Sequence, residues 1–300
     1  MKRFLSSAVL AIALACFGQA ALAAQGSENA QAQQLQAAFA AAVQVAIAGP
    51  NEVKVREQAL LNLPEGYVFV PRPEADNLMR AMGNQADERL VGLVFPRDDA
   101  QWLAVIKYEA SGYIRDDDAK NWNVDDLFNS LKQGTEEANK DRRARGFPEL
   151  EIVGWAERPR YDPATHRLVW SMAARNAGAP ANAANGVNYN TYALGREGYI
   201  SLNLVSDLAA VDQDKVHANR LLAALDFQPG KKYTDFNAST DKAAEYGLAA
   251  LVGGVAAKKL GFFGLIAAFL AKFAKVIGLA VVALGAGLSK FFRRDKTPPA

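Results

Sequence analysis

Few residues in this chain can do chemistry: two histidines, one cysteine and scattered acids among 300 residues. His166 has the most suggestive company, with Trp155, Tyr161, Asp162 and Trp170 around it in sequence. Imidazole titrates near neutrality, so His166 is a candidate proton shuttle. A histidine satisfied at a strand end explains the same residue without catalysis. His217, on the flank of an expected helix, reads as solvated. Ser239 and Lys242 have the Ser-x-x-Lys spacing that puts a nucleophile and its base on one helical turn. No Ser-Asp-Asn or Lys-Thr-Gly accompanies them, and a helix cap from Ser239 or Thr240, with Asp241 in the first turn, accounts for the tetrapeptide as well.

The densest set of oxygen ligands is Asp116, Asp117, Asp118, Asn121, Asn123, Asp125 and Asp126, so Asp116, Asp118, Asp125 and Asp126 are the candidate ligands for a hard divalent cation. Counted from Asp116, Lys120, Asn121 and Leu127 occupy positions where an EF-hand loop needs a ligand, a glycine and a glutamate. A solvated loop that also caps helices is the simpler reading. Isolated histidines without His-x-x-x-His or paired cysteines offer no transition-metal site. No Gly-x-Ser-x-Gly, phosphate loop or dinucleotide fingerprint occurs, so no cofactor is expected.

The elements that must position these groups alternate short strands with a few helices. Leu35, Phe39, Val43 and Ile47 have helical spacing within the Ala- and Gln-rich stretch 24–48, which reads as a leading helix or linker. Val53 to Val55, Ala59 to Leu63, Tyr67 to Val70, Val91 to Phe95 and Trp102 to Tyr108 read as strands. Pro73 starts a helix that Gly83 closes, with Ala75, Leu78, Met79 and Met82 inward. Asn123 caps a helix that Gly134 stops, and Thr135 caps a second one reaching Arg145. Glu151 to Tyr161 and Arg167 to Ala173 form a hairpin around Asp162-Pro163-Ala164-Thr165, and Asn188 to Leu194 with Tyr199 to Val205 form another. Asp212 caps a helix that buries Ala218, Leu221, Leu222 and Leu225. Hairpins outnumber strand-helix-strand units, so the fold class is α+β: a largely antiparallel sheet with flanking helices over 49–238, plus a C-terminal transmembrane helix.

Both ends of the chain look like membrane signals. Lys2 and Arg3, the apolar run Phe4 to Phe17 and the small-x-small set Ala21-Leu22-Ala23 have the order of a secretory signal peptide over 1–23. Its removal takes away Cys16, the only cysteine. Gly247 to Leu288 is nearly all apolar, which places a juxtamembrane helix at 239–259, an anchor at 260–289 and a basic cytoplasmic tail at 290–300. Lys272 and Lys275 interrupt the anchor, and a two-span hairpin turning there is the alternative topology. Lys258, Lys272, Lys275 and Lys290 share one helical face, while Ala274 with Gly278 and Ala283 with Gly287 would let two copies of the helix pack as a homo-oligomer. Between the two ends the chain is net acidic, which argues against nucleic acid as a partner. The expected partners are membrane lipid and another envelope protein, and the expected location is the bacterial inner membrane, single-pass, with a periplasmic body.

Several clusters occur in a telling order: Leu63-Pro64-Glu65-Gly66-Tyr67-Val68-Phe69, Gly112-Tyr113-Ile114, Asp116-Asp117-Asp118-Ala119 and Gly134-Thr135-Glu136-Glu137-Ala138-Asn139. After them come Gly154-Trp155, Pro159-Arg160-Tyr161-Asp162, Thr165-His166, Val187-Asn188-Tyr189-Asn190-Thr191, Leu194-Gly195-Arg196, Ser239-Thr240-Asp241-Lys242 and Tyr246-Gly247-Leu248. From Gly49 to Leu288 the chain resembles the bacterial membrane-anchored proteins grouped as domain of unknown function 2167. The resemblance implies an anchored envelope protein and brings no established activity, so no residue role is carried over from it. The best-fitting reading is a non-enzymatic, periplasm-facing binding or interaction module. The alternatives are an envelope hydrolase using Ser239 with Lys242 or His166, and a membrane-remodelling or channel-accessory protein.

Overall fold

The computed structural model describes residues 32–98, 100–144, 148–180 and 185–253. In chain order the first strands are β1 (Ile47–Ala48), β2 (Asn51–Val55), β3 (Ala59–Leu63), β4 (Tyr67–Pro71), β5 (Leu90–Pro96) and β6 (Leu103–Glu109). The later ones are β7 (Leu150–Asp162), β8 (Arg167–Asn176), β9 (Gly186–Leu194), β10 (Tyr199–Asp207) and β11 (Leu225–Phe227). The helices are α1 over residues 32–45, α2 (Glu74–Ala81), α3 (Val124–Ala144), α4 (Val211–Ala223) and α5 (Ala250–Gly253).

Eight strands form one sheet in the order β1-β4-β5-β6-β10-β9-β8-β7, and every neighbouring pair is antiparallel. The expected antiparallel sheet with flanking helices is therefore present. Local turn chemistry sets the hairpins: Asp162 Oδ1 accepts the Ala164 N–H at 2.9 Å and its Oδ2 accepts the Thr165 hydroxyl at 2.7 Å, which fixes the β7–β8 reversal. Strands β3 and β4, although joined by three residues, enter different sheets; β3 pairs with β2 and β11 in a separate three-stranded sheet.

Side chains alternate across each strand, so the large sheet has two faces with different cover. On one face Ala104, Ile106, Val187, Tyr189, Ala193, Ile200, Leu202 and Leu204 pack with Ala218, Leu221 and Leu222 of α4 and with Val53, Val55, Leu61 and Leu63 of the small sheet. The other face carries two separate apolar clusters. Leu35, Phe39 and Ala42 of α1 and Ala75, Leu78 and Met79 of α2 cover Val68, Val70, Phe95, Leu103, Val105 and Val205. Leu127 and Leu131 of α3, with Leu248, Leu251 and Val252 at α5, cover Leu168, Trp170, Met172, Tyr192 and Tyr199.

Several expected boundaries move. Ile47 leaves the leading helix for β1, where it pairs with Phe69 of β4 at the sheet edge. Gly134 does not stop a helix: α3 runs unbroken for 21 residues, and Thr135, instead of capping, donates its hydroxyl back to the Leu131 carbonyl at 2.9 Å. A lone glycine costs about 1 kcal/mol in a helix, less than burying Leu127 and Leu131 returns. Helix α4 begins after Ala210, while Asp212 sits in its first turn paired with Lys215 at 2.6 Å, and Leu225 belongs to β11. Residues 239–249, expected to begin a juxtamembrane helix, form turns and bends. The signal peptide, the 260–289 anchor, its lysine face and the basic tail lie outside the described residues. Among the described residues no helix is long and apolar enough to cross a membrane.

Candidate functional site

Segments far apart in sequence are fastened together at one end of the large sheet. The chain leaving β6 pairs with the stretch before α5: the Tyr113 N–H donates to the Lys242 carbonyl at 2.9 Å, and the Ala244 N–H donates to the Tyr113 carbonyl at 2.8 Å. This parallel bridge needs Gly112, whose φ is +88° and whose added Cβ would lie 2.5 Å from the Lys242 carbonyl oxygen. The β9–β10 turn joins the same strap. Arg196 there grips Asp241 with two bonds, Nε to Oδ2 at 2.6 Å and a terminal nitrogen to Oδ1 at 2.8 Å. That guanidinium, together with the Asn237 N–H, holds the Asp241 carboxyl well below the usual carboxylate range.

Inside this frame lies a ladder of rings. Phe236 stacks on Tyr113 at 3.8 Å and 11°, Tyr113 stacks on Tyr233 at 4.3 Å, and Tyr233 meets the His166 ring at 4.3 Å. Tyr233 is buried and donates its hydroxyl to the Ile114 carbonyl at 2.7 Å, while Phe236, Tyr113 and His166 are half-buried. Tyr161 adds a polar relay, its hydroxyl lying 2.6 Å from Asp116 Oδ2 and 3.2 Å from His166 Nδ1. One phenolic proton cannot serve both partners, and the carboxylate takes it. His166 must then donate from Nδ1, which leaves its Nε2 lone pair free to accept.

Burial, reinforced by the bond to Asp116 and its charge, pushes the Tyr161 phenol far above its ordinary value; burial and the bond with Tyr113 do the same for Tyr233. Both stay neutral hydrogen-bonding groups at physiological pH. His166 also has a left-handed backbone, φ +53°, a conformation that costs of order 1 kcal/mol for a non-glycine residue. Chemically, the arrangement offers a basic nitrogen oriented through a phenol by a carboxylate, beside half-open aromatic faces.

The structure treats the expected site residues unequally. His166, Tyr161 and Asp116 come together. Trp155 and Trp170, expected to flank His166, pack edge-to-face with each other at 6.1 Å and belong to the cluster under α3. Asp162 is spent on its own turn. The acids separate: Asp116 joins the relay, Asp118 accepts the Leu248 and Ala249 N–H groups at 3.2 and 2.9 Å, and Asp125 and Asp126 sit in the first turn of α3, where Asn123 Oδ1 caps their N–H groups. Among the described residues no three His, Cys, Asp or Glu side chains converge on a metal-sized point. Ser239 and Lys242 are exposed and lie on no helix, and the Ser239 hydroxyl donates to Asn237 Oδ1 at 2.6 Å.

His217 is not solvated as expected. It stacks on Trp102 at 5.1 Å and lies 2.8 Å through Nδ1 from the Tyr67 hydroxyl, because α4 lies across the sheet at that point. The sequence reading missed Tyr233 and Phe236 altogether, since nothing local marks two rings in a turn-rich stretch. Tyr113, Arg196 and Asp241 did stand in the ordered clusters, but their mutual contacts had no signal.

A family model described as "Protein of unknown function (DUF2167)" matches residues 47–285. No curated protein matches the sequence. Among solved structures the chain is similar to the solution structure of cyanobacterial PsbP (CyanoP) from Synechocystis sp. PCC 6803, with 9% identity, 61% of this chain and 91% of that chain covered, and a TM-score of 0.35. A likeness that faint carries no argument about this chain.

Proposed function

From the premise that the chain belongs to the DUF2167 family of proteins of unknown function, we propose that it is a binding module of the cell envelope, exported, tethered by its apolar carboxyl-terminal stretch, and receiving a partner at the sheet end around His166. The observation that carries this reading is the convergence there of Tyr113, Tyr161, His166, Arg196, Tyr233, Phe236 and Asp241 from four separate segments. Half-buried rings beside a directional polar group are what a recognition site uses: the rings supply apolar contact and the imidazole fixes orientation. The location is supported by Lys2-Arg3 with the apolar run behind them and by the length of apolar chain from Leu260 to Leu288.

The test places a photoreactive amino acid at Phe236 in full-length protein expressed in intact cells. A discrete adduct is expected, weakened when Tyr161→Phe is combined with it and absent when the same group replaces the exposed Val153. Equal, diffuse labelling from both positions would refute the site.

The Asp116–Tyr161–His166 relay favours a second reading, in which Nε2 of His166 serves as a general base. Turnover by the purified protein that disappears in His166→Ala and persists in Ser239→Ala would establish it. The Ser239/Lys242 hydrolase draws no support from an exposed serine bonded to Asn237.

A further inference from the structure

On the face opposite α4, the two apolar clusters are parted by a strip of buried polar side chains. The register lays it out. Val105, Asn203, Asn190 and Trp170 are successive partners across β6, β10, β9 and β8. The row on one side holds Lys107, Ser201 and Tyr192, and the row on the other holds Leu103, Val205, Asn188 and Met172. Asn203 and Asn190 are 1% exposed and Asn188 is 3% exposed. Asn190 Nδ2 donates to the Asn188 carbonyl at 3.0 Å. The side-chain oxygens of Asn188 and Asn190, and both amide atoms of Asn203, have no hydrogen-bond partner among the described residues.

Buried amides are almost always paired, because removing them from water without a partner is expensive. Four unpaired atoms side by side in the middle of a sheet therefore call for a polar occupant. We propose that this strip is the floor of a binding site for a small neutral, hydroxyl-bearing molecule, a polyol or sugar, held between α1 on one bank and α3 with α5 on the other.

The chemistry of the strip selects that class. Carboxamides both donate and accept, as a hydroxyl does. The strip's one charge, Lys107, is paired with Asp87 at 2.7 Å, so no net charge is left to attract an ion. Three neutral amides lack the carboxylates that a hard cation requires. An apolar guest would leave the amides as they are. Trp170 and Tyr192 border the strip and offer rings to the C–H face of a sugar. The strip is closed, so a guest enters by lifting α1, whose Leu35 and Phe39 share a cluster with Val105 and Val205. This site is separate from the His166 end, and either can fail without the other.

Full-length protein in detergent is titrated with glycerol, glucose and trehalose at millimolar concentration, with binding heat and amide hydrogen exchange as readouts. Saturable binding by at least one of them is expected, with several-fold slower exchange in α1, and the affinity should fall at least tenfold in Asn203→Leu and in the milder Asn190→Ser. No saturable binding to the wild-type protein, or undiminished affinity in a folded variant, overturns the proposal. A crystal structure grown with the tightest binder decides between the two sources of hydroxyl: sugar density on Asn190 and Asn203 supports the site, whereas ordered water alone, or amides bonded to each other, overturns it.

Discussion

The hydroxyl of Tyr161 serves two partners at once, accepting from His166 and donating to Asp116. Tyr161→Phe keeps the ring and removes both bonds, and it is expected to cost about 1–2 kcal/mol in denaturant unfolding. The same phenol makes the site sensitive to alkali. Its ionisation is pushed up in the folded state, so the stability it contributes is complete below the ordinary tyrosine value of about 10 and drains away as pH rises beyond it. Phenolate absorbance should therefore appear together with unfolding, where free tyrosines would titrate without it; a smooth titration of a still-folded protein would contradict this. At this scale the sequence picked His166 and Asp116 for sound reasons, the rarity of imidazole and the density of acids. It gave His166 one right neighbour, Tyr161, but missed Tyr113 and Tyr233, because their ring contacts with each other and with His166 join positions more than 50 residues apart, which composition and spacing do not register.

Among the elements, α3 shows most clearly how packing overrides a local breaker. Asn139 spans the end of β7, donating to the Leu150 carbonyl and accepting its N–H, both at 2.8 Å, and so pins the second half of the helix to the sheet. With Leu127 and Leu131 buried on the first half, the helix is held on both sides of Gly134. A Cβ at that position meets nothing within 4 Å. Gly134→Ala is therefore expected to stabilise the protein by up to about 1 kcal/mol, read as a higher Tm; a lower one would mean that the glycine is needed there. The hairpins β7–β8 and β9–β10 were legible because turn residues and alternation act within a few positions. The short β11 was not, since three residues carry no period and its pairing partner, β3, is more than 150 residues away.

For the molecule as a whole, partly buried charge beside the inner strands β5 and β6 links stability to acid. Burial opposes ionisation of Asp87, but hydrogen bonds from Arg89 and Lys107 and their charges outweigh it and hold the carboxyl well below the usual range. A depressed carboxylate contributes stability that is complete above its unfolded value, near pH 4, and is lost as pH falls through the lower folded value. Urea midpoints should fall between pH 4 and pH 2 by a larger margin in the wild type than in Asp87→Asn. That variant should itself lose up to about 3 kcal/mol at neutral pH, because the carboxylate that Arg89 and Lys107 both contact is gone. By itself the amino-acid order determined the α+β class, the hairpins and the inward face of α2, all set by periodicity and turn residues over short spans. Only the tertiary structure decided that Asp118 would cap a segment 130 residues away, that Arg196 would grip Asp241, and that a polar strip would divide one face of the sheet. Those choices follow from strand register and helix packing, which sum many weak contacts across the whole chain and leave no mark on any one stretch of it.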